Sequence, residues 1–234
     1  IKRISTLEPP PPWGLFAAIN TVFVSLVAIL AGSFISLTLL GTQEFYTLVA
    51  WLIGLTLTIV FVRISRARPE DWAALRLGET SSRLLIVLLF SLGMAISIDV
   101  LGMVVSGEFL PAAELSIFYE STPGIISWIL AIILMLVVQP IAEELVFRGV
   151  FYPTARQVMG AWGGFIVSTL VYAIFHYVAY SSPAISIWYG LVAPFLTGLV
   201  ISAVRANSGS TRVAIVAHLG FCLFALLKLF VLPG

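Results

Sequence analysis

Gly124-Ile125-Ile126-Ser127-Trp128-Ile129-Leu130-Ala131-Ile132-Ile133-Leu134-Met135-Leu136-Val137-Val138 runs directly into Gln139-Pro140-Ile141-Ala142-Glu143-Glu144-Leu145-Val146-Phe147-Arg148-Gly149. The first fifteen residues are almost wholly apolar and have the length and composition of most of a bilayer crossing; the next eleven carry two carboxylates and a guanidinium. A charged side chain at the bilayer centre costs roughly 2.5 to 3.5 kcal/mol on insertion scales, so ionisable groups there face a protein interior or a wet cavity and mark a working site. Helical spacing sorts the three charges. Glu144 and Arg148 stand at i,i+4 with the acid on the N-terminal side, the order that favours a pair on one face. Glu143 lies about 100° round the helix and keeps a carboxylate that Arg148 does not directly neutralise. Pro140 cannot donate to the carbonyl of Leu136, which predicts a bend three residues before Glu143.

The rest of the chain matches this beginning. Of 234 residues 60% are hydrophobic and 10% charged, with mean hydropathy +1.11, against a charged share of roughly 25% in ordinary soluble domains. The fold class expected is an all-α, polytopic transmembrane helical bundle of about seven spans plus a short interfacial helix, because each crossing consumes about 20 apolar residues. A net charge of +1 argues against nucleic acid as a partner, and the single Cys222 excludes an internal disulfide and a cysteine-based zinc cluster. The chain opens on Ile1 and not on methionine, so residues are expected ahead of it; the first apolar run is too long for a signal-peptide core and reads as a retained helix.

Residues 1–12, ending in Pro9 to Pro12, form a stiff lead-in to a single membrane domain over 13–234. The expected spans are Trp13 to Leu40, Phe45 to Val62 after a turn holding Glu44, Leu84 to Val105, Gly124 to Val158, Trp162 to Tyr180, Ile185 to Val204 with a kink at Pro194, and Val213 to Val231. The fourth exceeds one bilayer crossing, so its end is expected to protrude. Between the second and third spans lie Arg63, Arg66, Arg68, Arg76 and Arg83, with Pro69-Glu70-Asp71-Trp72 opening a short interfacial helix expected over Trp72 to Leu77. The loop after the third span carries Glu108, Glu114 and Glu120 and no basic residue, and is expected to face outward. Lys2, Arg3, the 63–83 loop, Arg156, Arg205 and Arg212 fall on one side, while the 41–46, 107–123 and 181–184 loops carry no Lys or Arg, which predicts a cytoplasmic N-terminus.

Both histidines sit inside predicted spans. If the fourth and fifth helices form a hairpin turning near Gly160, Glu143 is 17 residues before the turn and His176 is 16 after it, level within about 1.5 Å of rise. His218 stands eight to ten residues from the turn at 207–211, about 12 to 15 Å, so the three groups are expected to converge on one cavity toward the cytoplasmic half if the hairpin tip protrudes.

With these residues in view, Glu143-Glu144-Leu145-Val146-Phe147-Arg148 resembles the Glu-Glu-x-x-x-Arg motif of the CAAX prenyl protease and bacteriocin-processing family of glutamate intramembrane endopeptidases. Tyr172-Ala173-Ile174-Phe175-His176 and His218-Leu219-Gly220-Phe221-Cys222 correspond to the family's two histidine motifs, in order, with Tyr172 in place of Phe and Cys222 in place of a carboxamide or carboxylate. The resemblance covers about residues 69 to 231, with the core at about 124–231. It implies a water held between Glu143 and His176, with Glu143 as general base, and an oxyanion met by His218 and the residue at 222. Glu144, Arg148, Tyr172 and Cys222 then support the site. No metal or other cofactor is implied. The implied partners are membrane lipid and a membrane-associated peptide or protein substrate, prenylated or not, in a prokaryotic plasma membrane. Three other readings stay open on the residues alone. The first is a non-catalytic membrane subunit that keeps the scaffold and binds partner membrane subunits. The second is a zinc or iron site built from the two carboxylates and two histidines, though His-Glu-x-x-His is absent. The third is a proton-coupled transporter using Glu143 and His176, disfavoured because no internal repeat is visible.

Overall fold

A computed structural model describes residues 5, 8–41, 45–78, 82–107, 109–120, 123–180 and 186–231. Lys2, Arg3, the turn at Glu44, Glu108 and the 181–184 loop lie outside the described residues. The described chain is all helical, and six helices are long and apolar enough to cross a membrane: α1 (Leu15–Leu40), α2 (Tyr46–Ser65), α4 (Leu84–Ser106), the 56-residue stretch Ile125–Tyr180, α7 (Trp188–Ser208) and α8 (Thr211–Lys228). The longest stretch is two antiparallel arms, α5 (125–159) and α6 (161–180). Gly160, at φ +76° and ψ 172°, breaks the helix between them, a conformation closed to most L side chains. Beyond the break Gly164 lies against the backbone of Arg156, so the chain has turned back on itself as the hairpin count requires. The protein is thus an integral membrane helical bundle whose described residues hold seven helical arms of crossing length, the 56-residue stretch counting as two.

Small residues set the packing. α1 and α2 form a hairpin in which a Cβ on Gly54 would lie 2.6 Å from Ile29 Cα, and one on Gly32 would lie 2.3 Å from the Ala50 carbonyl oxygen. Backbone atoms cannot retreat as a side-chain tip can, and in lipid close backbone approach is the main source of helix association. Gly54→Leu is therefore expected to separate α1 from α2 at a cost of about 1 to 3 kcal/mol, read as a lower monodisperse yield on size exclusion in mild detergent. α4 and α8 run parallel and touch where Gly220 meets the backbone of Leu88 and Leu92.

Among the described residues, three π-helical turns interrupt the bundle, and each ends two residues before a proline. They span Leu134–Val138, Leu145–Phe151 and Trp188–Val192, ahead of Pro140, Pro153 and Pro194. The residue just before each proline donates its N–H five residues back, Gln139 to Leu134, Tyr152 to Phe147 and Ala193 to Trp188. A proline ring collides with the carbonyl four residues earlier, and the wider turn moves that carbonyl aside, so the helix continues through the proline. The bend expected at Pro140 is thus a π-helical turn just ahead of it, and Glu143 stands between two such turns.

The basic end of the bundle is closed by the lead-in. Glu8 accepts from Arg205 Nη1 at 2.7 Å and Nη2 at 2.9 Å and pairs with Arg76 Nε at 3.1 Å. Burial pushes the Glu8 carboxyl up, but Arg205 and Arg76 outweigh it and hold it below the usual carboxylate value. Trp13 Nε1 donates to the Val150 carbonyl and to Thr154 Oγ1. The short helix α3 (Pro69–Ala74) starts three residues earlier than expected and stops at Ala74, short of Leu77. Pro69 sits in its first turn and Asp71 caps the Arg68 N–H at 3.2 Å, which anchors the start ahead of Trp72. The loop after α4 turns inward at one point. A 3-10 turn, Ala113–Leu115, carries Leu115 and Glu114 into the bundle, where both are buried.

Candidate active site

Antiparallel pairing of α5 with α6 puts residues whose numbers sum to about 320 side by side. Phe147 meets Tyr172 edge to face at 5.1 Å and Phe175 at 5.0 Å. By the same register Glu143 faces His176, with Glu143 Oε2 3.4 Å from His176 Nε2. α8 closes the third side and brings His218 Nε2 to 3.9 Å from the same oxygen. Two imidazoles therefore converge on one carboxylate oxygen that has no hydrogen-bond partner of its own in the protein. The other oxygen, Oε1, accepts from the Tyr180 hydroxyl at 2.9 Å and from Gln139 Nε2 at 3.1 Å. These two donors fix the carboxylate plane and aim Oε2 at the histidines.

The two rings are held differently. His176 Nδ1 lies 3.2 Å from the Tyr172 carbonyl oxygen, which only accepts, so Nδ1 carries the hydrogen and Nε2 is the nitrogen turned toward Glu143. His218 Nδ1 lies 2.9 Å from Glu144 Oε1 and donates to it. Glu144 Oε1 also accepts from Arg148 Nη1 at 3.0 Å, while Arg148 Nη2 donates to the Gly198 carbonyl at 3.0 Å. The Arg148 guanidinium stacks over the Tyr172 ring at 4.3 Å. Glu144 thus pairs with Arg148, as i,i+4 spacing predicts, and in addition orients His218, a contact that only the tertiary fold creates. Tyr172 lies between Arg148 and His176 as packing surface.

A cavity of about 160 Å³ borders this cluster, room for several waters at a liquid share of about 30 Å³ each. His176, His218, Tyr172, Tyr180, Gln139 and Cys222 are on its wall, and Glu143 lies just behind them. Its wall includes one face of α8 from His218 past Cys222 to Lys228, where Lys228 Nζ meets Asp99 Oδ1 at 2.5 Å. The open space therefore lies on the side of Glu143 away from the 150–160 hairpin tip and the arginines. Among the described residues, no group of three His, Cys, Asp or Glu side chains is arranged to hold a metal ion.

Three participants escaped the sequence. Gln139 is four residues before Glu143 and Tyr180 four after His176, so helical spacing alone would have placed each on the right face. Glu114 had no local signal: its Oε1 accepts from Gln139 Nε2 at 2.8 Å across 25 residues of chain.

No curated protein and no solved structure matches the chain. A family model described as Rce1-like, type II CAAX prenyl endopeptidase Rce1-like, matches residues 125–224, the interval that holds Glu143, Glu144, Arg148, Tyr172, His176, His218 and Cys222, so that this segment of the membrane bundle is similar to that protease family.

Proposed function

We propose that the protein is an intramembrane endopeptidase in which a water, activated by Glu143 and His176, hydrolyses a peptide bond of a membrane-associated substrate without a metal. The observation that carries this reading is the unpartnered Glu143 Oε2 facing both Nε2 atoms beside a cavity with room for water. Water between Glu143 Oε2 and His176 Nε2 gives one proton to the carboxylate as its oxygen bonds to the carbonyl carbon. Glu143 then passes that proton to the amide nitrogen as the C–N bond breaks, leaving a carboxylic acid, an amine and a regenerated carboxylate. His218 is within reach of the same locus. Its Nδ1–H is engaged by Glu144, so Nε2 donates to the developing oxyanion when the ring carries both protons. Glu144 acts as the orienting carboxylate of that histidine, and Arg148 holds Glu144. The partners are lipid and a membrane-anchored peptide. The arginine-rich end, where Glu8, Arg76 and Arg205 meet, is read as cytoplasmic.

A second reading has one observation behind it: Cys222, buried on the cavity wall one turn beyond His218, offers only a weak S–H donor where the family has an amide or carboxyl group. A non-catalytic subunit that keeps the scaffold would tolerate this. The two readings separate on a cleavage assay with purified full chain, using a prenylated CAAX-ended peptide and a library of membrane peptides. For the enzyme, Cys222→Asn is expected to raise kcat by about tenfold or more, since one oxyanion donor is worth on the order of 10² in turnover. Absence of Glu143-dependent cleavage in both wild type and Cys222→Asn would sink the peptidase reading and favour the subunit.

A further inference from the structure

Glu114 is a buried carboxylate that the hydrolytic scheme above leaves without a task. It comes from the segment between α4 and α5, which folds back into the bundle to the level of Gln139. Irregular backbone at that depth is tolerated in a membrane protein only where it is enclosed by protein or lines a cavity. Here Leu110, Ala112 and Glu114 all line the cavity, and Leu115 is fully buried behind them.

Two contacts define what Glu114 does there. Its Oε1 is 4.0 Å from His176 Nε2, the same nitrogen that faces Glu143 at 3.4 Å. It also accepts from Gln139 Nε2 at 2.8 Å, and that nitrogen donates its second hydrogen to Glu143 at 3.1 Å. One carboxamide thus bridges two carboxylates, and both carboxylates come within about 4 Å of one imidazole nitrogen. Because Nδ1–H is committed to the Tyr172 carbonyl, Nε2 meets both oxygens with either a lone pair or a hydrogen. Two carboxylate oxygens facing one lone pair repel it, so the three groups favour an arrangement with a proton held among them. The other ionisable groups around this nitrogen include His218 and Cys222 from α8, Tyr180 and Tyr172 from α6, and Arg148 from α5.

We propose that Glu114 is a positioning residue of the Glu143–His176 centre: with Glu143 it brackets His176 Nε2, and through Gln139 it fixes the carboxylate that faces the water. Its consequence for turnover rests on the peptidase reading; the bracket itself does not. Without Glu114, His176 Nε2 would face one carboxylate in place of two. Pinning the segment between α4 and α5 by hydrogen bonding needs no charge at Glu114, since a glutamine there still accepts from Gln139, and this separates a positioning role from a structural one.

The test uses full-length protein in detergent, with Glu114→Gln and Glu114→Asp beside wild type. One arm measures cleavage of the prenylated CAAX-ended peptide and the membrane-peptide library. The other records 15N spectra of the imidazoles, of which the chain has two, with His176→Gln identifying the His176 ring. Glu114→Gln is expected to lower kcat by about 10- to 100-fold with KM within about twofold, the scale of a misplaced reacting group, and to shift the His176 signals while leaving those of His218 in place. Glu114→Asp, which keeps the charge but draws it back by one methylene, is expected to fall between the two. If Glu114→Gln does not fold, the same contrast is read from Glu114→Asp. Unmoved His176 signals, unchanged kcat, or a rise in KM at constant kcat each overturns the proposal. Cleavage by wild type with unmoved His176 signals leaves the peptidase reading standing and removes the bracket. Shifted signals in a protein that cleaves nothing remove the peptidase reading and keep the bracket.

Discussion

Glu143→Gln is expected to give a folded protein with peptide hydrolysis reduced by about 10³-fold or more, the range associated with losing a general base. The fold survives because glutamine has the same length and shape. Its amide oxygen still accepts from Tyr180 and Gln139 in place of Oε1, and its amide nitrogen replaces Oε2 as a donor toward the two imidazoles. No buried polar group loses its only partner, so the desolvation penalty that follows an unmatched substitution does not arise. The amide cannot take a proton from water, and the chemistry stops there. The checks are elution on size exclusion and initial rates on the peptide library, side by side. Wild-type turnover in Glu143→Gln would end the assignment of Glu143 as base, whatever the fate of the fold.

Arg148→Met should produce the opposite pattern, a chain that does not accumulate as folded protein. The Arg148 side chain is fully buried, with Glu144, the Gly198 carbonyl and Ser202 as its hydrogen-bond partners. Methionine fills much of the volume but leaves the Glu144 carboxylate buried without its cation and strips the Gly198 carbonyl of a donor. Removing one partner of a buried pair costs about 3 to 5 kcal/mol, a large share of the margin by which most proteins are stable. The double change Arg148→Met with Glu144→Met removes the orphaned charge as well and is expected to recover part of the folded yield, because a well-packed apolar pair replaces a buried ion pair at little cost. The recovered protein still lacks activity, since His218 has lost the carboxylate that orients it. Equal detergent-extracted yield for wild type and Arg148→Met would show that the pair is dispensable to the fold. Together the two experiments separate the adjacent acids. The expected outcome is that Glu143→Gln loses chemistry without losing structure, whereas changes at Glu144 affect both through its contacts to Arg148 and His218.

Much of this could be read along the chain because a bilayer imposes simple conditions on sequence. A helix must carry about 20 apolar residues to cross, its backbone must satisfy itself, and a charge inside must have a reason. Those conditions located the spans to within a few residues, singled out Glu143, Glu144 and Arg148 in the middle of an apolar run, and through the i,i+4 rule paired Glu144 with Arg148. The hairpin at Gly160 was also legible, since counting residues from a glycine turn places Glu143 and His176 at one height whatever surrounds them. The segment around Glu114 was not legible. Three acids without basic residues between two spans look like a solvated loop, and the fact that Pro111 and Leu115 draw Glu114 into the bundle depends on the helices that receive them. The double duty of Glu144 was hidden for the same reason, because His218 lies 74 residues away and reaches it only once α8 packs against α5. Periodicity and depth are properties of one helix and are written in its sequence. Which rotamer a buried carboxylate adopts, which imidazole nitrogen carries the hydrogen, and which side of the site holds the open cavity are set by contacts between helices distant in the chain, and only the tertiary structure decided them.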